Sequence, residues 1–536
     1  MSLTFLTRNL TVIILAFVFT LCSCTRVDQG YKVLNMNLGF EPEALDWNIA
    51  GDIYSYTIIH KIMHGLTQFS EDAEEKLAVK PALAKSWTIS EDGLDYIFEI
   101  DERAIWSDKR EVLAQDFMDS LTRTLEPSFG APYAELLQII DMDRSKVLAK
   151  KKLRLSLKYP ASYFIYLTAS CFMYPIRQDL IDKYGDTWTE ADKILSTGPY
   201  LLDYWQHEYK IVLKKNPDYF LKDEIENNID ELKFFMVPEQ SSAFTLFKNK
   251  QFDWIDGGSI PTSEFANLEK CLAEEKHISE LPEICRDFDI ASSSLLRNTF
   301  LGFNVNKKPF DDIRVRKAFA YALDRKAIAS LRGRGDIGNA TWIPPGLSYF
   351  YRKDKQYIFD PSSAQDLLNE AGYSDKSKFP EVIFLYPSRE DAKALAEIMH
   401  SMWHKNLGVD VKLVAQEWKV FMKTLKDDTP HLYRLSWGAD YPEPSTFMQL
   451  FTRDNPINYG KWFNQNYEDL VFKGMSSLNI EESKKYYLAA EKILLDQEMG
   501  IAPLFVNRQL LLKQANIKNI KPDPMDLVFI DKVQKL

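Results

Sequence analysis

The chain has 536 residues, 46% of them hydrophobic and 27% charged, with a formal net charge of -11. At ~100–200 residues per domain this length makes two to four lobes. The acidic balance and the lack of any Lys/Arg-rich tract exclude a nucleic-acid partner, and no solenoid repeat or low-complexity tract is present.

The amino terminus reads as a targeting segment. Arg8 supplies the positive region, and Leu10 to Leu21 is an apolar run of twelve residues. A permanent bilayer span needs about 20. Leu21-Cys22-Ser23-Cys24 then predicts a bacterial lipoprotein signal over 1–23, with Cys24 lipidated and first in the mature chain. An ordinary cleaved secretory signal is the alternative. Acylation would tether the protein to a membrane face. Farther along, Cys171 lies in an apolar run and is expected to be a buried thiol. Cys271 and Cys285 are spaced to close a short loop in an oxidising compartment.

Tyr31–Leu38 alternates and predicts a strand, and Ile53–His64 predicts a helix with Asp52 as its N-cap. Tyr96–Ile100 and Leu153–Leu157 read as strands around an amphipathic helix at Ala114–Leu125. Leu201–Trp205 and Lys210–Lys214 are strands, Gln240–Asn249 a helix, and Phe252–Ile255 a strand. Phe300–Val305 is a strand and Asp312–Leu331 one helix; Ser362–Ala371 is a helix ended by Gly372. Val382–Tyr386, Asp391–Asn406 and Val409–Ala415 give strand, helix, strand, so a parallel pair with a right-handed crossover is expected. Lys419–Lys426, Glu468–Ser477 and Ile480–Asp496 are helical, and Ala502–Val506 is an apolar strand. The alternation makes the chain α/β with several lobes.

The stretch Tyr433-Arg434-Leu435-Ser436-Trp437-Gly438-Ala439-Asp440-Tyr441-Pro442-Glu443-Pro444 carries the sharpest chemistry. It begins as a buried strand and must stop pairing at Pro-x-Pro, because proline cannot donate to the ladder. Asp440 is thereby left at the mouth of a strand, framed by Trp437 and Tyr441. That setting suits a ligand with a cation on an apolar body, such as a free amino terminus. A turn aspartate capping the next helix is the plain alternative. His60/His64 and His400/His404 have helical metal-binding spacing, but neither pair has the adjoining glutamate of a zinc protease or an evident third ligand. No nucleophile elbow, phosphate loop or nucleotide fingerprint appears, so no cofactor is expected and the chain reads as a binder, not an enzyme.

Several stretches together resemble the periplasmic oligopeptide-binding proteins of ABC importers, the OppA/DppA type. They are Ile105-Trp106-Ser107-Asp108, Ala131-Pro132-Tyr133-Ala134, Ser196-Thr197-Gly198-Pro199-Tyr200, the run from Ile211 to Tyr219, the run from Phe303 to Arg316, Asn406-Leu407-Gly408-Val409-Asp410-Val411, and Trp437-Gly438-Ala439-Asp440-Tyr441. The resemblance implies a two-lobed periplasmic-binding-protein fold (class II, cluster C) with an extra domain inserted in the first lobe. The first lobe would comprise 27–67, 191–292 and 508–536, the extra domain 68–190, and the second lobe 293–507. It implies a monomeric lipoprotein of the periplasm or cell envelope that closes its lobes on short peptides and hands them to an ABC permease. Asp440 matches the family's aspartate for the peptide amino terminus, Trp437 and Trp418 its cleft tryptophans, Tyr133 a pocket tyrosine, and Arg434 an arginine for a peptide carboxylate. Leu425 stands where well-studied members carry a second basic residue, Ala392 near a lost histidine, and Phe505 where tyrosines are usual on a strand that reads as shortened. The murein-peptide branch also lacks that basic residue, so a diaminopimelate-containing tripeptide is the runner-up ligand. From other classes, a zinc peptidase or a structural lipoprotein remain as alternatives.

Overall fold

The computed structural model describes residues 30–69, 79–272, 287–331, 335–356, 358–520 and 522–536. The expected signal segment, Cys24 and Cys285 lie outside them. Among the described residues no helix is long and apolar enough to cross a membrane.

One sheet runs through most of the molecule, and two strands hold it together. The strands are β1 (Val33–Asn37), β2 (Thr67–Phe69), β3 (Val79–Pro81), β4 (Ala84–Ile89), β5 (Asp95–Ile100), β6 (Lys146–Ala149), β7 (Lys152–Ser156), β8 (Tyr200–Gln206), β9 (Lys210–Lys215), β10 (Glu231–Phe235), β11 (Trp254–Asp256), β12 (Asp289–Phe303), β13 (Ile337–Gly338), β14 (Val382–Pro387), β15 (Val411–Gln416), β16 (Leu432–Gly438) and β17 (Ile501–Lys513). The large sheet has the order β15-β14-β16-β12-β17-β11-β1-β10-β9-β8 with β13 added on β17. The arm β15-β14-β16 belongs to one lobe and the arm β11-β1-β10-β9-β8 to the other. Only the antiparallel pair β12–β17 spans both.

That pair breaks register in the middle. Asp289 to Ser294 oppose Lys513 to Arg508, and pairing resumes only at Asn298 opposite Val506. A bulge of this kind bends a strand and leaves the extra residues off the ladder. A second shift lies next to Pro503, which cannot donate to a partner. Leu295, Arg297 and Asn507 sit at this break and line a cavity, whereas Leu296 stays in the core.

β12 starts eleven residues before the strand expected at Phe300, and β17 ends at Lys513 instead of Val506. The extra stretches are Ser292-Ser293-Ser294 and Asn507-Arg508-Gln509. Their polar side chains carry no period-2 apolar signal, but their backbones complete a ladder in the interior. The strand around Phe505 is thus long, not short. The expected single helix at Asp312–Leu331 is two, Ile313–Tyr321 and Arg325–Leu331. Elsewhere the pattern reading matches closely. Ala114–Leu125 is a helix, β14 and β15 are parallel, and Asp52 caps its helix by accepting from the Tyr54 and Ser55 amides at 2.9 Å.

A separate four-stranded antiparallel sheet, order β4-β5-β7-β6, buries Tyr96, Phe98, Ile100, Leu153 and Leu155. Beside it, Tyr163 stacks on Tyr441 in the loop after β16, ring centres 5.1 Å apart, and the Ser162 amide donates to the Met475 carbonyl at 2.9 Å.

Candidate functional site

β16 lies in the sheet interior, with Leu432, Tyr433 and Leu435 all buried, and it pairs with β12 up to Gly438 opposite Arg297. One residue on, the Ala439 amide donates to the Leu296 carbonyl at 2.8 Å, so the bulge of β12 holds the loop that follows. Asp440 then leaves the ladder. Its amide donates to Thr446 Oγ1 at 3.1 Å, and the same hydroxyl donates back to Asp440 Oδ2 at 3.2 Å. At the start of the helix Ser445–Met448, which has Pro444 at its N-cap, Glu443 Oε2 accepts from the Ser445 amide at 2.7 Å.

Asp440 lines a cavity of about 320 Å³ with Trp437, Tyr133, Tyr56, Phe172 and Cys171. The walls are aromatic, and Tyr133 stacks on Phe172 at 4.7 Å. Burial pushes the Asp440 carboxyl up to about 6, and the Thr446 hydrogen bond only partly offsets this. A carboxylate so poorly hydrated gains most from a partner that brings its own positive charge. Trp437 Nε1 is buried in the same wall without a hydrogen-bond acceptor. Burial holds the neighbouring His60 down to about 3, so that ring is neutral and leaves the negative charge of Asp440 uncancelled. Its Nδ1 pairs with the Tyr174 hydroxyl at 2.8 Å.

A second chamber of about 410 Å³ opens on the far side of Arg297 and Ile53, which line both. Its walls mix apolar side chains such as Trp254 and Leu510 with charged ones, among them Asp256, Asp336 and Asp526 beside Arg297, Arg389 and Arg508. Sequence reasoning missed all six. Arg297, Asn507 and Arg508 lie where β12 and β17 break register, and no local pattern announces that.

The structure brings together three of the eight ligand residues expected, Asp440, Trp437 and Tyr133. The other five stand apart from both chambers. Tyr441 is fully buried against Tyr163, with its hydroxyl on Ser445 Oγ at 2.9 Å. Leu425 is a core residue of the helix Trp418–Asp427 at 0% exposure, because the amphipathic pattern of that helix turns it inward with Phe421. Phe505 is equally buried, opposite Thr299 on β12. Trp418 projects into solvent at 52% exposure, stacked on Phe421. Arg434 lies opposite Leu301 inside the β16–β12 ladder, away from the cavities.

The histidine pairs are otherwise engaged. His64 Nε2 meets the Tyr219 hydroxyl at 2.6 Å, and His404 Nδ1 meets Asp410 at 2.8 Å. Among the described residues no cluster of three His, Cys, Asp or Glu side chains could hold a metal ion. Cys171 is a buried free thiol, which burial holds well above the usual range. Cys271 is disulfide-bonded.

Two lobes joined by a pair of strands, with a chambered cleft at the join and a desolvated carboxylate in it, define a binding protein that takes its ligand between the lobes. The sequence model of the bacterial extracellular solute-binding proteins, family 5, matches residues 78–459, and the chain belongs to that family. It is 28% identical to the dipeptide-binding protein DppE of Bacillus subtilis, over 96% of this chain and 97% of that one. It is 27% identical to the periplasmic oligopeptide-binding protein OppA of Escherichia coli, over 90% and 88%. Among solved structures, the unliganded open form of the murein tripeptide binding protein MppA aligns with a TM-score of 0.77 and 25% identity, covering 94% of this chain and 97% of that one. The oligopeptide-binding protein OppAIV of Borrelia burgdorferi shares the fold, with a TM-score of 0.75 and coverage of 94% and 100%.

Proposed function

We propose that the protein captures short peptides in the cleft between its lobes and passes them to an ABC permease. The observation that carries this reading is Asp440, a carboxylate raised to about 6 by burial in an aromatic chamber that contains no cation of its own apart from Arg297 at its rim. A peptide's amino terminus supplies the missing charge, Trp437 and Tyr133 cover the first side chain, and the backbone continues along the free edge of the β16 loop. Closure is driven by contacts the ligand makes with both lobes at once. In this reading the chain is a receptor and not a catalyst. It acts as a monomer outside the cytoplasm, tethered through a lipidated Cys24 after removal of 1–23. The lobes meet near 292/293 and 507/508, close to the register break of β12 and β17, and 68–190 form the extra domain.

A second reading, a murein tripeptide as ligand, is favoured by one observation. Leu425 is shut in the core, so the helix Trp418–Asp427 offers the cleft no basic group at that position. The likeness to MppA supports the same reading.

Native mass spectrometry of gently purified protein tests both. A spread of adducts of peptide mass supports a broad receptor, and a single adduct of diaminopimelate-tripeptide mass supports the murein reading. Acetylation of a peptide's amino terminus is expected to abolish calorimetric binding. Equal binding of the acetylated form would refute Asp440 as an amine anchor.

A further inference from the structure

The turn that presents Asp440 is fastened from behind by a second acid, Glu443, which is only 3% exposed and does not line the cavity. Its Oε2 accepts two hydrogen bonds, from the Ser445 amide at 2.7 Å and from the Ser445 hydroxyl. A serine hydroxyl has one proton to give. Ser445 spends it on Glu443, so in the 2.9 Å contact between Ser445 Oγ and the Tyr441 hydroxyl it is Tyr441 that donates. The Glu443 carbonyl accepts the Thr446 amide at 3.3 Å, and the Thr446 hydroxyl bridges the Asp440 amide and carboxylate. Glu443 thus reaches Tyr441 through Ser445, and Asp440 through Thr446.

The two ends of the turn are held independently. Ala439 hangs on the Leu296 carbonyl, while Trp342 Nε1 donates to the Phe447 carbonyl at 2.7 Å and the Tyr467 hydroxyl to the Met448 carbonyl. Between these anchors stand Pro442 and Pro444, which have no amide proton to donate. The hydrogen bonds inside the turn therefore pass through Glu443, Ser445 and Thr446. Behind them lies Tyr487, on the helix Ile480–Lys492. Its hydroxyl and Glu443 Oε1 are both buried, and each shifts the proton affinity of the other. A buried carboxyl with no cation beside it sheds its charge, and burial pushes this one up to about 7, partly offset by the bonds from Ser445. What Glu443 supplies is hydrogen bonding and not charge.

We propose that Glu443 is the positioning residue for Asp440: by gripping Ser445 and Thr446 it sets the turn 440–446 so that the Asp440 carboxylate stands in the cavity wall. Asp440 is the group that meets the ligand, and Glu443 acts on it only through the turn. A carboxylate that is to receive an ammonium has to be held within about 0.5 Å of the productive geometry by the residues around it. This rests on the peptide reading above and deepens it by naming what aims the anchor.

The test is a double-mutant cycle on protein freed of co-purified ligand, read by calorimetry with whichever of Ala-Ala-Ala and the diaminopimelate tripeptide binds. Glu443→Ala is expected to weaken binding roughly tenfold, within the coupling range of residues in one hydrogen-bond network. Glu443→Gln keeps an acceptor for Ser445 and is expected to bind within about twofold of wild type. In an Asp440→Ala background no carboxylate is left to aim, and Glu443→Ala is expected to change affinity less than about twofold. Ser445→Ala guards against misfolding of the first variant and is expected to weaken binding in the same direction. An equal loss in both backgrounds, or a Gln variant as weak as the Ala variant, would overturn the positioning role. Hydrogen exchange on the empty protein reads the turn without a ligand. The Asp440 and Thr446 amides are expected to exchange at least about tenfold faster in Glu443→Ala and at the wild-type rate in Glu443→Gln. Unchanged protection would overturn the proposal whatever the peptides do, whereas failure of both peptides to bind wild type, with the exchange result intact, would overturn only the peptide reading.

Discussion

Asp440 gives the binding reaction a pH dependence whose size follows from its surroundings. Burial holds the carboxyl at about 6 in the empty cleft, whereas a peptide ammonium prefers the ionised form. Binding therefore lowers the carboxyl's proton affinity, and the ligand must expel a proton wherever the group begins protonated. With a value of about 6, about nine-tenths of the free protein is ionised at pH 7 and about one-tenth at pH 5. Affinity for Ala-Ala-Ala is thus expected to fall about tenfold, or about 1.4 kcal/mol, as pH drops from 7 to 5. The peptide's own amine, with an ordinary value of about 7.7–8.0, stays charged across this window. Calorimetry in buffers of different ionisation enthalpy reads the proton directly, and about three-quarters of a proton should be released on binding at pH 5.5. Asp440→Asn should remove its share of the slope and weaken binding at pH 7 by at least about 2 kcal/mol. A wild-type profile superimposable on that of Asp440→Asn, with no proton released, would refute the argument.

The same residue should destabilise the empty protein. Its folded value of about 6 lies above the ordinary 3.8, so the proton is held more tightly in the folded state, and stability from this group is present below about pH 4 and lost as pH rises through 6. Asp440→Asn is expected to raise Tm at pH 7, by up to about 3 kcal/mol of stability, and to leave it unchanged at pH 4; a lower Tm at pH 7 would count against the desolvation account. Leu425→Ala should cost about 2–5 kcal/mol in denaturant unfolding and leave peptide Kd unaltered, since Leu425 is core and not cleft. Gly302→Ala should destabilise by about 1–3 kcal/mol, because a Cβ there would come within 2.1 Å of the buried Tyr433 ring. An unchanged unfolding midpoint would show that the ring moves freely.

What the sequence disclosed, and what it hid, divide along physical lines. Elements with a strong apolar period were legible almost to the residue, as at Ala114–Leu125 and in the parallel pair β14–β15. That Asp440 leaves the ladder and lines a cavity with Trp437 follows the expectation from Pro-x-Pro, which ends strand pairing. The hinge half of β12 was not, because Ser292 to Ser294 are held by ladder bonds and not by apolar burial. Leu425 and Tyr441 were misplaced for a related reason. Position in a motif says which element carries a side chain, but its face is decided by packing partners, here Phe421 and Tyr163. The charged second chamber was out of reach, since Asp256, Arg297, Arg508 and Asp526 come from four segments that meet only when the sheet is complete.

The order of the central sheet also sets an order of assembly. β11 lies between β1 and β17, touching β1 at Met36 opposite Trp254 and β17 at Trp254 to Asp256 opposite Lys513 to Leu511. The lobe that contains the beginning of the described chain therefore cannot finish its sheet until nearly the last residues have emerged. The other lobe is bounded by Gly302 and Ile501, which face each other across one ladder rung, and everything it needs lies between them. It is built from uninterrupted chain and can condense while its companion still waits with an open edge at β11. An unpaired strand edge invites foreign strands, so the first half of the chain to be made is the half exposed longest to misassembly, and β17, the segment that ends the exposure, is among the last to be made.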